Sequence, residues 1–238
     1  VIVNVNPSPI IDAGNDIQIC IGDSAQLLAS GGVSYLWTPS NTLTDDTIAN
    51  PIAFPTDTTE YIVNATDVNG CVNSDTVSVI VNPLPSAFAG SDVAICFGDT
   101  TILTATGGIS YSWSPTDSLS NSLNDITQAF PIITAEYIAT VTDTNGCVQS
   151  DSIVVTVNEL PIGDAVQDVT ICIGDSTQLN VTGGDTYVWT PSTNLSDPNI
   201  ADPWAAAIVT TNYSVEITDI NGCTDTDTVL ITINNLPN

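Results

Sequence analysis

The chain has 238 residues and contains no lysine, arginine, histidine or methionine. Against that absence stand 27 acidic residues, for a formal charge of −27. Each missing residue type removes a class of chemistry. Without Lys or Arg nothing can neutralise phosphates, so sequence-independent binding to nucleic acid is excluded. Anionic membrane surfaces are disfavoured for the same reason. Without His there is no Ser-His-Asp or Cys-His relay and no His-ligated zinc. Without Lys there is no Schiff base and no P-loop. Side chains of this chain cannot form a single salt bridge with one another. No apolar run approaches the ~20 residues of a membrane-spanning helix, and no signal peptide is visible.

What is present points to a packed β protein. Charged residues make up only 11% of the chain and hydrophobic ones 42%, with a mean hydropathy of +0.24. Disorder pairs high charge with low hydrophobicity, and the second condition fails here. The acids are mostly Asp, which favours turns. Val, Ile and Thr are abundant, which favours strands.

The strongest signal is internal repetition. Cys20, Cys96 and Cys172 fall 76 residues apart, as do Trp37, Trp113 and Trp189. Tyr61, Tyr137 and Tyr213 keep that spacing, and so do Cys71, Cys147 and Cys223, with no gap needed. Each unit reads D-x-x-I-C-x-G-D-[ST], then G-G-x-x-Y-x-W-[ST]-P, then Y-x-x-x-x-T-D-x-N-G-C, then a strand ending N-x-[LS]-P. Three units span residues 10–85, 86–161 and 162–238. Residues 1–9 match the unit ends, so the chain opens on the final strand of a preceding repeat and reads as a window on a longer array. Donor-strand exchange is the other use for such a strand, but the third unit already owns its closing strand.

Within a unit the pattern predicts strands over Asp16–Cys20, Ser24–Ala29, Ser34–Thr38, Ile52–Phe54, Glu60–Thr66 and Val72–Asn82. Asn69-Gly70 gives a hairpin-turn signal before the last of them. Short strands at this spacing, with a tryptophan on the third, predict an all-β chain of three tandem immunoglobulin-like β-sandwich domains in an end-to-end array. Trp37, Trp113 and Trp189 read as core residues, the other use being exposed platforms for sugar stacking. Tyr61, Tyr137 and Tyr213 read as core residues with a hydrogen-bonded hydroxyl. Trp204 has no counterpart in the first two units, where Ile52 and Gln128 stand.

The runs Cys20-Ile21-Gly22-Asp23-Ser24, Trp37-Thr38-Pro39, Asn50-Pro51 with Thr59-Glu60-Tyr61, and Asp67-Val68-Asn69-Gly70-Cys71 together carry a family resemblance. The chain resembles the Ig-like/PKD-like tandem repeats of giant Bacteroidota cell-surface proteins, which are type IX-secreted and include gliding adhesins. The W-x-F-G-D-G element of PKD domains proper is missing. The resemblance spans nearly the whole chain. It implies an extracellular location and a repetitive spacer or adhesive role, and it identifies no ligand.

Six cysteines in three equivalent pairs, on a chain the resemblance places outside the cell, argue for disulfides. Two pairings fit. One closes each unit on itself, as Cys20–Cys71, Cys96–Cys147 and Cys172–Cys223. The other staples consecutive units, as Cys20–Cys147 and Cys96–Cys223. In an immunoglobulin sandwich the A–B and F–G turns lie at opposite ends. A strand such as Val72–Asn82 spans ~30 Å, far more than the ~6 Å between Cα atoms that a disulfide allows. Stacked units would instead bring the A–B turn of one against the F–G turn of the next. Both pairings stay open on the sequence alone, because the strand order is inferred.

The acids recur in register at Asp16, Asp92 and Asp168, at Asp23, Asp99 and Asp175, at Asp75, Asp151 and Asp227, and at Asp67, Asp143 and Asp219. The last three are each followed by Asn69, Asn145 or Asn221. Oxygen-rich turns in a chain without cations suggest calcium at the junctions, although no loop matches an EF-hand. The alternative is that these carboxylates cap turn backbone. Asp-[Ser/Thr] triplets at Ser24, Thr76, Thr100, Ser152, Ser176 and Thr228 resemble the Bacteroidota O-glycosylation sequon, against the simpler use of the hydroxyl as a turn cap. Paired carboxylates also occur in glycosidases, but three near-identical units suit a spacer better than one cleft.

The expected function is structural: a stiff segment of an extracellular stalk, fibre or adhesin, with no catalytic residue and no organic cofactor. Its partners would be further copies of the same repeat, lateral copies of the chain, or surface glycans. The other expectation is a glycan- or surface-binding adhesion module.

Overall fold

The structure, a computed structural model, describes residues 6–235. Residues 1–5, where the expected strand of a preceding repeat begins, and residues 236–238 lie outside the described residues. Each repeat is a β-sandwich of the immunoglobulin type, and no helix occurs among the described residues. The first contributes β1 (Ile17–Cys20), β2 (Ala25–Gln26), β3 (Ser34–Thr38), β4 (Ile52–Ala53), β5 (Thr59–Thr66) and β6 (Val72–Asn82). The second contributes β7 (Val93–Cys96), β8 (Thr101–Thr104), β9 (Ser110–Ser114), β10 (Ile126–Ala129), β11 (Ala135–Thr142) and β12 (Val148–Asn158). The third contributes β13 (Asp164–Ala165), β14 (Val169–Cys172), β15 (Thr177–Gln178), β16 (Val181–Thr182), β17 (Thr186–Thr190), β18 (Trp204–Ala205), β19 (Thr211–Thr218) and β20 (Thr224–Asn234).

One sheet of each repeat has four strands, in the orders β1-β6-β5-β3, β7-β12-β11-β9 and β14-β20-β19-β17. In each, the short first strand runs parallel to the long last one, and the other neighbours are antiparallel. The facing sheet is small, built on β2-β4, β8-β10 and β15-β18. Its length follows from one residue. Pro51 and Pro203 immediately precede β4 and β18, which are two residues long. Proline has no N–H to give to a ladder. The second repeat has Thr127 at that position, and β10 extends to four residues with four register pairs to β8. The Ser24–Ala29 strand expected from sequence is therefore regular only over Ala25–Gln26. It continues as Leu27 and Ala29 N–H donations to the carbonyls of Pro51 and Ala49.

Strand alternation fills each core. In β5, Tyr61, Val63 and Ala65 point inward, with Val77 and Val79 from β6. Trp37, Trp113 and Trp189 are 0%, 2% and 1% exposed, so the platform reading is overturned. Their indole N–H groups donate to the carbonyls of Ile48, Asn124 and Ile200 at 2.9–3.0 Å, which satisfies the one polar atom each ring buries. The Tyr213 hydroxyl donates to the Thr193 carbonyl at 3.0 Å, and that of Tyr61 bonds the Thr42 hydroxyl at 2.6 Å. Each repeat has its own apolar cluster, and none of the six cysteines belongs to any of them.

Candidate functional site: the inter-repeat junctions

Two short turns bring the chemistry to the ends of each sandwich. The first follows the A–B cysteine. After β1, Ile21 donates its N–H to Asn82 and Asp23 donates to Cys20, closing a tight turn. Gly22, Gly98 and Gly174 sit in it at φ of 94°, 91° and 96°, where an L side chain is strained.

The second turn precedes the F–G cysteine. An Asn-Gly pair commonly gives a two-residue type I′ turn with positive φ at both positions. Here only the glycine adopts it, with Gly70 at 79°. The reason is Asp67, whose Oδ1 accepts the N–H of both Asn69 and Cys71 at 2.8 Å. The Gly70 N–H donates to the Asp67 carbonyl, giving a type I turn followed by a left-handed glycine. Asp143 and Asp219 hold Cys147 and Cys223 in the same way, at 2.9 and 2.8 Å.

The register places the two turns at opposite poles. Cys20 pairs with Asn82 at the end of β6, whereas Cys71 immediately precedes Val72 at its start. The 11 residues of β6 between them span ~35 Å. Internal pairing of Cys20–Cys71, Cys96–Cys147 and Cys172–Cys223 is therefore corrected. The structure joins Cys20 to Cys147 and Cys96 to Cys223, each with a sequence separation of 127 and Cα atoms 5.6 and 5.5 Å apart. Cys71 and Cys172 are free thiols.

Little else crosses the junctions. Among the described residues, no side-chain hydrogen bond connects any two of the three repeats, the Asn73 side-chain amide donates to the Pro9 carbonyl of the opening segment at 2.8 Å, and the one backbone bond at a boundary is the local donation from Ala87 to Pro85. Salt bridges are impossible for want of a basic residue. Cys147 and Cys223 are 0% and 1% exposed, so the F–G end of each bridge is covered.

The recurrent carboxylates are spread along each repeat. Asp16, Asp92 and Asp168 accept the N–H of Ser78, Val154 and Leu230 at 2.9 Å. Asp75, Asp151 and Asp227 accept from Ala13, Ala89 and Ala165 at 2.8–2.9 Å. Both sets tie the opening segment of a repeat to its closing strand. The second set is a role that composition did not reveal. Asp23, Asp99 and Asp175 are exposed in the A–B turns. Asn69 and Asn221 turn their side-chain amides back onto Asp67 and Asp219, at 3.3 and 3.1 Å, and Asn145 gives its backbone N–H to Asp143. Among the described residues, no three acidic or cysteine side chains gather into a metal-sized cluster. With Asp16, Asp67, Asp75 and their equivalents accepting backbone N–H groups and no cluster formed, thermal unfolding is expected at the same temperature in excess calcium and in excess EDTA. A rise of several degrees in calcium would assign cations to these turns.

Ser24, Thr76, Thr100, Ser152, Ser176 and Thr228 are all exposed. Only the Thr100 hydroxyl has a protein partner among the described residues, accepting from the Gln128 amide at 2.9 Å.

Donation from the Cys71 N–H is the largest cause holding the Asp67 carboxyl below its ordinary value. At Asp75 the chief cause is the Ala13 N–H, followed by Thr76. A carboxyl lowered in the folded state contributes stability that is present above the unfolded value, about 4, and lost as pH falls through the folded one. Amide-exchange protection at Cys71 and Ala13 is thus expected to hold at pH 6 and to fall on acidification below about pH 4. Unchanged protection at pH 2 would contradict this.

No protein-family model matches the chain, and no curated protein matches it. Among solved structures it is similar to Sidekick-1 immunoglobulin domains 1–5, at 13% identity and a TM-score of 0.35, covering 97% of this chain and 60% of that one. It is also similar to the N-terminal eight Ig domains of Down Syndrome Cell Adhesion Molecule, at 16% identity and a TM-score of 0.42, covering 94% and 42%. The I9–I11 tandem from titin matches at 10% identity and a TM-score of 0.37, covering 98% and 99%. The chain thus spans less than two thirds of the first two.

Proposed function

We propose that this chain is a stiff spacer segment of an extracellular stalk, fibre or adhesin, with its sandwiches locked in series by disulfides. The observation that carries this reading is the pair of bridges of identical separation, each running from the A–B turn of one repeat to the F–G turn of the next. Disulfides persist in oxidising compartments, which supports an extracellular setting. A bridge beside a short Pro-bounded linker gives each junction two covalent connections instead of one, and so restricts its bending.

The bridges also redirect force. Tension applied to the ends passes from residue 20 straight to 147, and from 96 straight to 223. Segments 20–96, 96–147 and 147–223 then run side by side between the two bridges, and the shortest, 96–147, draws taut first, so that residues 21–95 and 148–222 stay slack as the unfolded chain is extended.

Small-angle scattering tests the stiffness. The oxidised chain is expected to show a narrow set of inter-repeat distances. Reduction, or the double change Cys20→Ser with Cys96→Ser, is expected to broaden that set while the far-ultraviolet circular dichroism stays the same. Identical scattering before and after reduction would contradict the proposal.

One observation favours a second, adhesive use. Trp204 on β18 is 53% exposed, and the equivalent residues of the other repeats are Ile52 and Gln128. An exposed tryptophan suits stacking on a sugar or burial in a partner surface. Loss of glycan-array signal in Trp204→Ala would support this use, and an array blank for both proteins would remove it.

A further inference from the structure

We propose that Cys71 and Cys172 are the open halves of further junctions, each built to close a disulfide with another unit of this same repeat docked in series. Cys172 takes the F–G cysteine of the unit that follows, and Cys71 takes the A–B cysteine of the unit that precedes. The inference rests on the spacer reading above and extends it from two junctions to an array without a fixed number of repeats.

The first support is that both free thiols sit in turns already shaped as in the bridged junctions. Beside Cys172, Ile173 donates to Asn234 at 2.9 Å and Asp175 donates to Cys172 at 3.0 Å. Beside Cys20, which is bridged, Ile21 donates to Asn82 at 2.9 Å and Asp23 donates to Cys20 at 3.0 Å. The Cys71 N–H meets Asp67 at 2.8 Å, as that of bridged Cys223 meets Asp219 at 2.8 Å. Bridge formation therefore needs no refolding of either turn.

The second support is burial. Cys147 and Cys223 are covered at their junctions, but Cys71, at the equivalent position of the first repeat, is half-buried. Cys20 and Cys96 are half-buried, whereas Cys172 is exposed. Each free thiol is therefore more exposed than its bridged equivalents, whose disulfide partners lie in the adjacent repeat. The same residues carry a bridge at both junctions between the three described repeats.

The third support is charge. The docking unit is as free of basic residues as this one, so attraction between opposite charges cannot hold it. Closure is an oxidation: the two thiols give up two electrons and two protons and form one S–S bond. A small-molecule disulfide such as oxidised glutathione accepts them and leaves as two thiols, through a mixed disulfide.

The test extends the full chain by a second copy of residues 86–161 placed directly after Pro237, which preserves the repeat spacing. The protein is oxidised with a glutathione mixture and its disulfides are mapped without reduction. The expected result is Cys172 joined to the appended copy of Cys147, with Cys71 still free. In Cys172→Ser the appended thiol is expected to stay free. A second extension using residues 162–237 keeps the result independent of how one appended sequence folds. Cys172 left free in both extensions, with Cys20–Cys147 and Cys96–Cys223 intact, would overturn this inference alone. Absence of those two original bridges would overturn the spacer reading and this inference with it.

Discussion

Pulled by its two ends, the oxidised chain is expected to reach a contour of about 300 Å and no more, even when every repeat has unfolded. After reduction the same chain is expected to reach about 800 Å. The difference follows from covalent connectivity. With both bridges closed, the shortest route between the ends runs through residues 1–20, back along 96–147, and out through 223–238. That route holds about 90 residues at ~3.5 Å each. The middle repeat is loaded between Cys147 at one pole and Cys96 at the other, whereas most of the outer two is shielded. Single-molecule force spectroscopy with and without reductant reads the contour directly. Internal pairing would shield residues inside each repeat but leave both linkers single-stranded. It would leave residues 1–20, 71–96, 147–172 and 223–238 on the route, again about 90 residues and the same limit, so the contour reports that the bridges are closed and disulfide mapping reports which cysteines they join.

Replacement of Trp113 by alanine is expected to cost about 3–5 kcal/mol. The indole is 2% exposed at the centre of its cluster and donates to the Asn124 carbonyl at 3.0 Å. The substitution therefore removes the largest apolar side chain of that core and takes the indole donor from the Asn124 carbonyl. A domain of this size has only about 4–11 kcal/mol in hand. The middle repeat should become marginal, while the first and third keep their own separate clusters. Calorimetry is expected to resolve a new low-temperature transition carrying roughly a third of the total enthalpy, since enthalpy scales with residues unfolded. A uniform shift of one transition would instead show that the three sandwiches melt as one cooperative unit.

Much of the fold is written in the chain at the level of single residues. The strands Ser34–Thr38 and Val72–Asn82 lie where alternation and turn residues predict them. The length of the small sheet follows Pro51, Thr127 and Pro203. The F–G turn was less legible. Asn69-Gly70 signals a type I′ turn when only the pair is considered, but Asp67 two residues earlier offers acceptors that select another geometry.

The carboxylates show a similar limit. Periodicity shows that Asp75 and Asp16 recur, yet only the folded register shows that they tie the opening segment to the closing strand. The cysteines were the hardest case. A repeat of 76 residues places Cys20 equally well for a bridge to Cys71 or to Cys147, because both schemes keep the period. What separates them is the pole at which each turn sits, and that depends on β1 pairing with the far end of β6.

The missing basic residues bear on this last point. A chain of charge −27 must hold like-charged units in series without one internal salt bridge, and the bridges Cys20–Cys147 and Cys96–Cys223 are what cross the gaps. The most direct measurement is disulfide mapping of the unreduced protein by mass spectrometry, after digestion with a protease that cuts at aspartate, since trypsin has no site to cut. The expected result is one peptide pair containing Cys20 and Cys147, a second containing Cys96 and Cys223, and free thiols at Cys71 and Cys172. A peptide pair joining Cys20 to Cys71 would contradict the account.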